Sequence, residues 1–141
     1  MAINSGKVVS GGLLAGLVFN VFDMLWNYTI LAGDMKDMID RMHLDPAIMT
    51  DFSKAIPWIV IDFVIGLLVV WTYAAMRPRL GAGPKTAVLA GLVPWVGITA
   101  VLCGFTSIGV FTMGMFIKSS GLAIVSTVVG SIAGAWVYKE S

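Results

Sequence analysis

Within the apolar stretch Gly12 to Asn27 sit three side chains with real chemistry, Asn20, Asp23 and Asn27, and a second carboxyl, Asp62, lies in the next apolar run. On an α-helix, where each residue turns by about 100°, positions 12, 16, 20, 23 and 27 fall on one narrow face. That face reads Gly12, Gly16, Asn20, Asp23, Asn27, while Leu13, Leu14, Leu17, Val18, Phe19, Val21, Phe22 and Leu25 occupy the others. Glycines let two helix backbones approach closely, and amides or a carboxyl beyond them can bond across the contact. A charged aspartate at the centre of a membrane helix costs about 2.5–3.5 kcal/mol on insertion scales, so this seam is expected to face protein rather than lipid.

Two chemistries follow from a pair of intramembrane carboxyls. They can take up a proton or cation and couple it to transport, or, protonated, they can join helices by hydrogen bonds worth roughly 0.6–2 kcal/mol each. Placed by an ~1.5 Å rise per residue, Asp23 and Asp62 are expected at one level, some 10–14 Å below the outer surface. No Lys or Arg lies within the spans to neutralise them, and Lys54 and Lys118 stand near the outer ends. At least one carboxyl is therefore expected to be protonated at neutral pH, sharing hydrogen bonds with Asn20, Asn27, Thr99, Ser126 or Thr127.

The elements that must position these groups follow from composition. Hydrophobic residues make up 58% of the 141, charged residues only 12%, and mean hydropathy is +0.92, the make-up of an integral membrane protein rather than a soluble domain. Nearly uncharged runs cover about 8–32, 56–76, 86–108 and 119–138, each long enough for a span of roughly 20 residues. No period-2 alternation appears, so the expected fold is all-α: one domain, 1–141, of four transmembrane helices. The first run, preceded by Lys7, is too long for a secretory signal and lacks a clear cleavage site, so it is taken as a retained helix.

Charge in the connections sets the expected orientation. The loop at 76–85 carries Arg77, Arg79 and Lys85 and no acid, whereas 33–54 carries Asp34, Asp37, Asp40, Asp45 and Asp51 against Lys36, Arg41 and Lys54. The basic loop belongs in the cytoplasm, which puts both termini inside, in keeping with Lys7 and Lys139. Pro78 and Pro84 bracket that loop, one expected to stop a helix and the other to open one. In the outer connection Met35, Met38, Ile39 and Met42 recur at helical spacing, the pattern of an amphipathic helix lying on the membrane surface. Asp45-Pro46 then reads as the start of a second short helix towards Lys54. Met35, Met38, Met42, Met49 and His43 could ligate Cu(I), but adaptable apolar surface explains them more simply, and no metal site is assigned.

Internal similarity suggests duplication: LLAGLVFNV (13–21) aligns with VLAGLVPWV (88–96), and WTYAAMR (71–77) echoes WVYKE (136–140). Four helices as two duplicated hairpins explain both, with Trp71, Tyr73, Trp136 and Tyr138 marking the inner interface. Further small-residue seams appear at Ala87 and Gly91, at Gly66, and at Ser126, Gly130 and Gly134, and point to tight packing within the bundle or onto another subunit.

Several functions are excluded. A net charge of +1 without a basic run denies the footprint nucleic-acid binding needs. His43, the one histidine, lies outside the spans, so paired-imidazole haem ligation cannot be built, and Cys103 is alone. No HExxH, GxxxxGK or CxxC occurs, so neither an enzyme nor a bound cofactor is expected. The stretch WTYAAMRPRLGAGPKTAVLAGLVPW (71–95), with GKVVSGGLLAGLVFNV near the start and AGAWVYKES at the end, resembles a group of small four-helix bacterial membrane proteins usually left as hypothetical. The likeness is carried by Arg77, Pro78, Gly81, Gly83, Pro84 and Lys85; it implies a bacterial inner membrane and brings no catalytic residues, and Asp23 and Asp62 are not tied to its pattern. Taken together, an accessory or scaffolding subunit is expected, its partners being the bilayer and other membrane subunits or copies of itself. The rival is a small proton- or cation-coupled transporter using Asp23 and Asp62.

Overall fold

The computed structural model describes residues 3–138; Lys139 and Glu140, used above for orientation and for the repeat, lie outside them. Among the described residues the chain is all-helical: α1 (Ser5–Tyr28), α2 (Ala32–Arg41), a short 3-10 turn (Pro46–Met49), α3 (Phe52–Leu80), α4 (Pro84–Ser107) and α5 (Met113–Val137). Four of these, α1, α3, α4 and α5, are long and apolar enough to cross a membrane, which suits a multi-pass membrane protein.

Local chemistry explains the ends. Asn4 and Thr112 cap α1 and α5 by accepting from the backbone N–H of Lys7 and Met115, both at 3.1 Å. Asp51 caps α3 by accepting from the Ser53 N–H at 2.9 Å, so α3 begins at Phe52, four residues before the expected span. The helix foreseen from Asp45-Pro46 shrinks to the 3-10 turn ahead of it. Pro78 does not stop α3, which runs on to Leu80: in the last turn the ring removes only one ladder bond. Gly81 (φ 82°) and Gly83 (φ 145°) then make the reversal, conformations an L side chain resists, and Pro84 opens α4. Thr112 starts α5 at Met113, leaving a connection of five residues after α4.

The helices form a ring in which α1 lies between α3 and α5, α4 lies on the far side between the same two, and α3 meets α5 across the middle. Neighbours in the ring run antiparallel. Inside are mostly small or branched residues, with Ala15, Val69, Val70 and Ala90 fully buried and Phe19, Tyr73, Met115 and Tyr138 the large exceptions; outside stand Val9, Leu13, Leu17, Val21, Val64, Leu68, Val93, Val96 and Val101. Large apolar groups outward and small ones inward is the arrangement lipid favours, because tails solvate leucine as well as protein does. α2 folds over one end, where Arg41 donates to the Gly109 and Val110 carbonyls (3.3 Å each) and Asp34 pairs with Lys118 at 2.7 Å. Its Ile39 is buried and Met42 exposed.

At the opposite, basic end Tyr73 and Tyr138 meet edge to face with ring centroids 6.1 Å apart, and the Arg77 guanidinium lies over both rings. Both tyrosines are buried while Trp71 and Trp136 are exposed, so of the four expected interface residues only the tryptophans face outward. Each tyrosine hydroxyl accepts from an N-cap amide: Tyr73 from Gly83 at 3.2 Å and Tyr138 from Asn4 at 3.2 Å.

Candidate functional site: a glycine crossing beside two carboxyls

The predicted seam of α1 meets α3 at Gly66. A Cβ built on Gly66 would lie 2.5 Å from the Gly16 nitrogen and against the Gly12 carbonyl; one on Gly12 would lie 2.7 Å from the Leu67 Cα, and one on Gly16 2.7 Å from the Phe63 Cα. The two backbones are in contact, which three glycines alone make possible. One turn further along α1, the Asn20 amide donates to Gly16 O at 2.9 Å and across the interface to Ile59 O at 3.3 Å.

Asp62 sits at this crossing and is only 8% exposed, its backbone opposite Gly16. Asp23 is seven residues beyond Gly16, roughly 10 Å along the axis at ~1.5 Å per residue, so the two backbones are not at one level. Side chains lean toward their own helix N-terminus. In an antiparallel pair that tilts Asp23 and Asp62 towards each other. Asp23, however, is exposed at the surface of the chain, so this chain alone does not supply the expected protein contact. The seam is closed at Gly12 and Gly16, half-buried at Asn20, and open at Asp23.

The expected hydrogen-bond network does not form. Asn27 spends its amide on the Asp23 backbone carbonyl at 2.8 Å, Ser126 accepts from the Trp26 indole at 2.9 Å, and Thr127 donates to Ala123 O at 2.6 Å. Thr99 is too distant in the ring, on α4, which lies opposite α1, and its hydroxyl is buried without a partner. Among the described residues neither carboxyl accepts a hydrogen bond, and the one cation expected nearby that is paired, Lys118, is held by Asp34. No group of three or more His, Cys, Asp or Glu gathers there to hold a metal.

Between Asp62 and the basic end the contact of α1, α3 and α5 is tightly packed and mostly apolar, while Ser131 and Thr86 are buried polar residues on the α4 side. Gly11 and Gly134 are in backbone contact, a Cβ on Gly11 falling 2.6 Å from Gly134 O, with Val70 wedged beside them and Val69, Tyr73 and Ala74 buried below. The remaining seams are occupied as well. Gly130 takes the Phe19 ring, and Gly91 lies against Thr127 and Ser131, where a Cβ would stand 2.9 Å from either side chain. Ala87 is buried next to it. Ser126, Gly130 and Gly134 thus face α1, and α4 uses the adjacent face of α5. Every predicted seam is filled by packing within the chain.

Sequence reasoning missed Gly11, Phe19, Trp26 and Phe63. The doubled Gly11-Gly12 was the available signal, since adjacent glycines 100° apart can serve two neighbours, Gly11 towards α5 and Gly12 towards α3. No family model matches the chain, and neither a curated protein nor a solved structure is similar to it.

Proposed function

We propose that the protein is an accessory or scaffolding subunit of a larger bacterial inner-membrane complex, and that a helix of that complex lies against the outer half of α1 where Asp23 emerges. The observation that carries this is an aspartate at the surface of the chain whose carboxyl has no hydrogen-bond partner among the described residues, within a helix suited to span a membrane. Intramembrane acids pair with protein groups or line water, and lipid tails offer neither. A donor on a neighbouring helix, a Lys, Arg, Asn or Gln at that depth, completes the site. The tight glycine and valine packing of α1, α3 and α5 below Asp62 supports a structural rather than a conducting role, and α4, the least buried of the four long helices, leaves further surface for a partner.

In this proposal both termini and the basic segment 76–85 are cytoplasmic, and the segment 33–54 with its five aspartates is outside. Two duplicated hairpins, α1–α3 and α4–α5, are supported by matched contacts: Gly16 rests on Asp62 and Gly66 as Gly91 rests on Thr127 and Ser131, the same positions under the sequence alignment. Tyr73 and Tyr138, also equivalent, meet between the hairpins, and each caps the first helix of the other hairpin. The carboxyls occur in the first hairpin alone, Thr127 standing where Asp62 would recur.

A photo-crosslinking side chain at Met24, exposed one residue from Asp23, tests the reading in native membranes. One discrete heavier adduct, lost on Asp23→Ala, is expected; adducts with lipid alone would overturn it. The transporter reading keeps one observation in its favour, a buried Asp62 reached from an exposed Asp23. Proton flux in vesicles equal for the parent and the Asp23→Asn, Asp62→Asn double variant would dispose of it.

A further inference from the structure

Near the basic end, Trp71, Ala75 and Arg79 follow one another at four-residue spacing along the outer side of α3, flanked by Thr72, Met76 and Leu80. Ala75 is the small member of the row, and its short side chain leaves a shallow groove of about 510 Å³ between the indole and the guanidinium. Trp71 is 53% exposed and Leu80 likewise 53%, so the groove opens away from the bundle. Its length, from Arg79 to Trp71, is roughly 12 Å at ~1.5 Å per residue.

The two arginines of this turn behave differently. Arg77 is drawn inward over the Tyr73 and Tyr138 rings. Arg79 is exposed, and among the described residues it has no carboxylate and no hydrogen bond. Its guanidinium therefore presents five N–H donors at the mouth of an apolar groove, at the depth where a spanning helix leaves the hydrocarbon. Residues 76–85 include no acid, and Lys85 adds a second exposed cation after the turn.

We propose that this groove is a binding site for an anionic phospholipid of the adjoining leaflet, its phosphate on Arg79 and an acyl chain laid over Ala75 towards Trp71. The occupant must satisfy both ends. A free phosphate neutralises the guanidinium but leaves the apolar wall of Trp71, Met76 and Leu80 uncovered, and a zwitterionic lipid covers the wall but brings its own cation to Arg79. Arginine suits the task better than lysine because its planar fork meets a phosphate through two parallel hydrogen bonds.

The full chain in detergent, offered phosphatidylglycerol and phosphatidylcholine with identical acyl chains, tests the site by native mass spectrometry. The parent should retain the anionic lipid over the zwitterionic one by about five-fold, the size of one surface cation's contribution. Arg79→Gln should bring that ratio close to one, and Ala75→Leu, which fills the notch, should lower retention of both lipids. Both positions are exposed, and far-UV circular dichroism matching the parent certifies the fold. A parental ratio near one, a preference that survives Arg79→Gln, or displacement of the lipid by glycerol phosphate would each overturn the proposal.

Discussion

Gly66→Ala puts the backbone contact between α1 and α3 to the test. The added methyl would stand 2.5 Å from the Gly16 nitrogen and 2.9 Å from its Cα, both backbone atoms that cannot rotate aside. Restoring ordinary carbon contacts of about 3.5–4.0 Å requires α1 and α3 to part by roughly 1 Å. The Asn20 to Ile59 hydrogen bond, already 3.3 Å, then passes out of range, forfeiting about 0.6 kcal/mol on the average for membrane interhelical bonds. Overpacking of this kind costs about 1–3 kcal/mol, and the better helix propensity of alanine returns at most ~1 kcal/mol, leaving a net loss of about 1–2 kcal/mol. Gly97→Ala on α4 is the matched control, because nothing lies within 4 Å of its Cβ position. Equilibrium unfolding in mixed micelles should show the first variant destabilised by about that amount and the second as stable as the parent or more so, by up to ~1 kcal/mol. Equal stabilities for the two would refute the close crossing.

Trp26→Phe deletes the indole bond to Ser126 and should cost about 0.6–1.7 kcal/mol in the same assay, with Ser126→Ala adding little more in the double variant. Asp51 is held below its ordinary value of 3.8 by hydrogen bonds from the Ser53 side chain and backbone N–H. A depressed value means the cap is fully present above about 3.8 and fades as pH falls through the lower folded value, so amide protection at Ser53 should drop in that acid window and stay level in Asp51→Asn. If the hairpins are independent units, chains 1–82 and 83–141 expressed together should co-purify as a one-to-one complex; recovery of either alone in quantity would speak against duplicated packing.

How much of this was legible in the sequence differs by residue type. Glycine at four-residue spacing was decisive: Gly12, Gly16, Gly91, Gly130 and Gly134 all sit in close contacts, because a missing side chain in a membrane helix has few uses besides letting something approach. Partners were not legible. Gly130 meets Phe19, far along the chain, and no local pattern announces that a ring fills the gap. Span ends were displaced by caps, Asp51 and Thr112 each extending a helix into charged sequence that hydropathy had assigned to loops. Asp23 is left uncovered by this chain for a geometric reason. Its angle on α1 matches Gly12 and Gly16, but angle says nothing of how far along the axis two helices stay together, and it lies beyond the contact. The tyrosines were expected at the lipid boundary from their amphipathic character, yet with hydroxyls bound to the Asn4 and Gly83 amides they are satisfied in the interior.

The subunit role is tested most directly by the mass of the particle released when native membranes are extracted gently. The account predicts an assembly containing this chain together with a second membrane protein in fixed ratio, and its dissociation when Asp23 is changed to leucine. A particle of the bare 15.0 kDa chain or its homodimer, unchanged by that substitution, would contradict it.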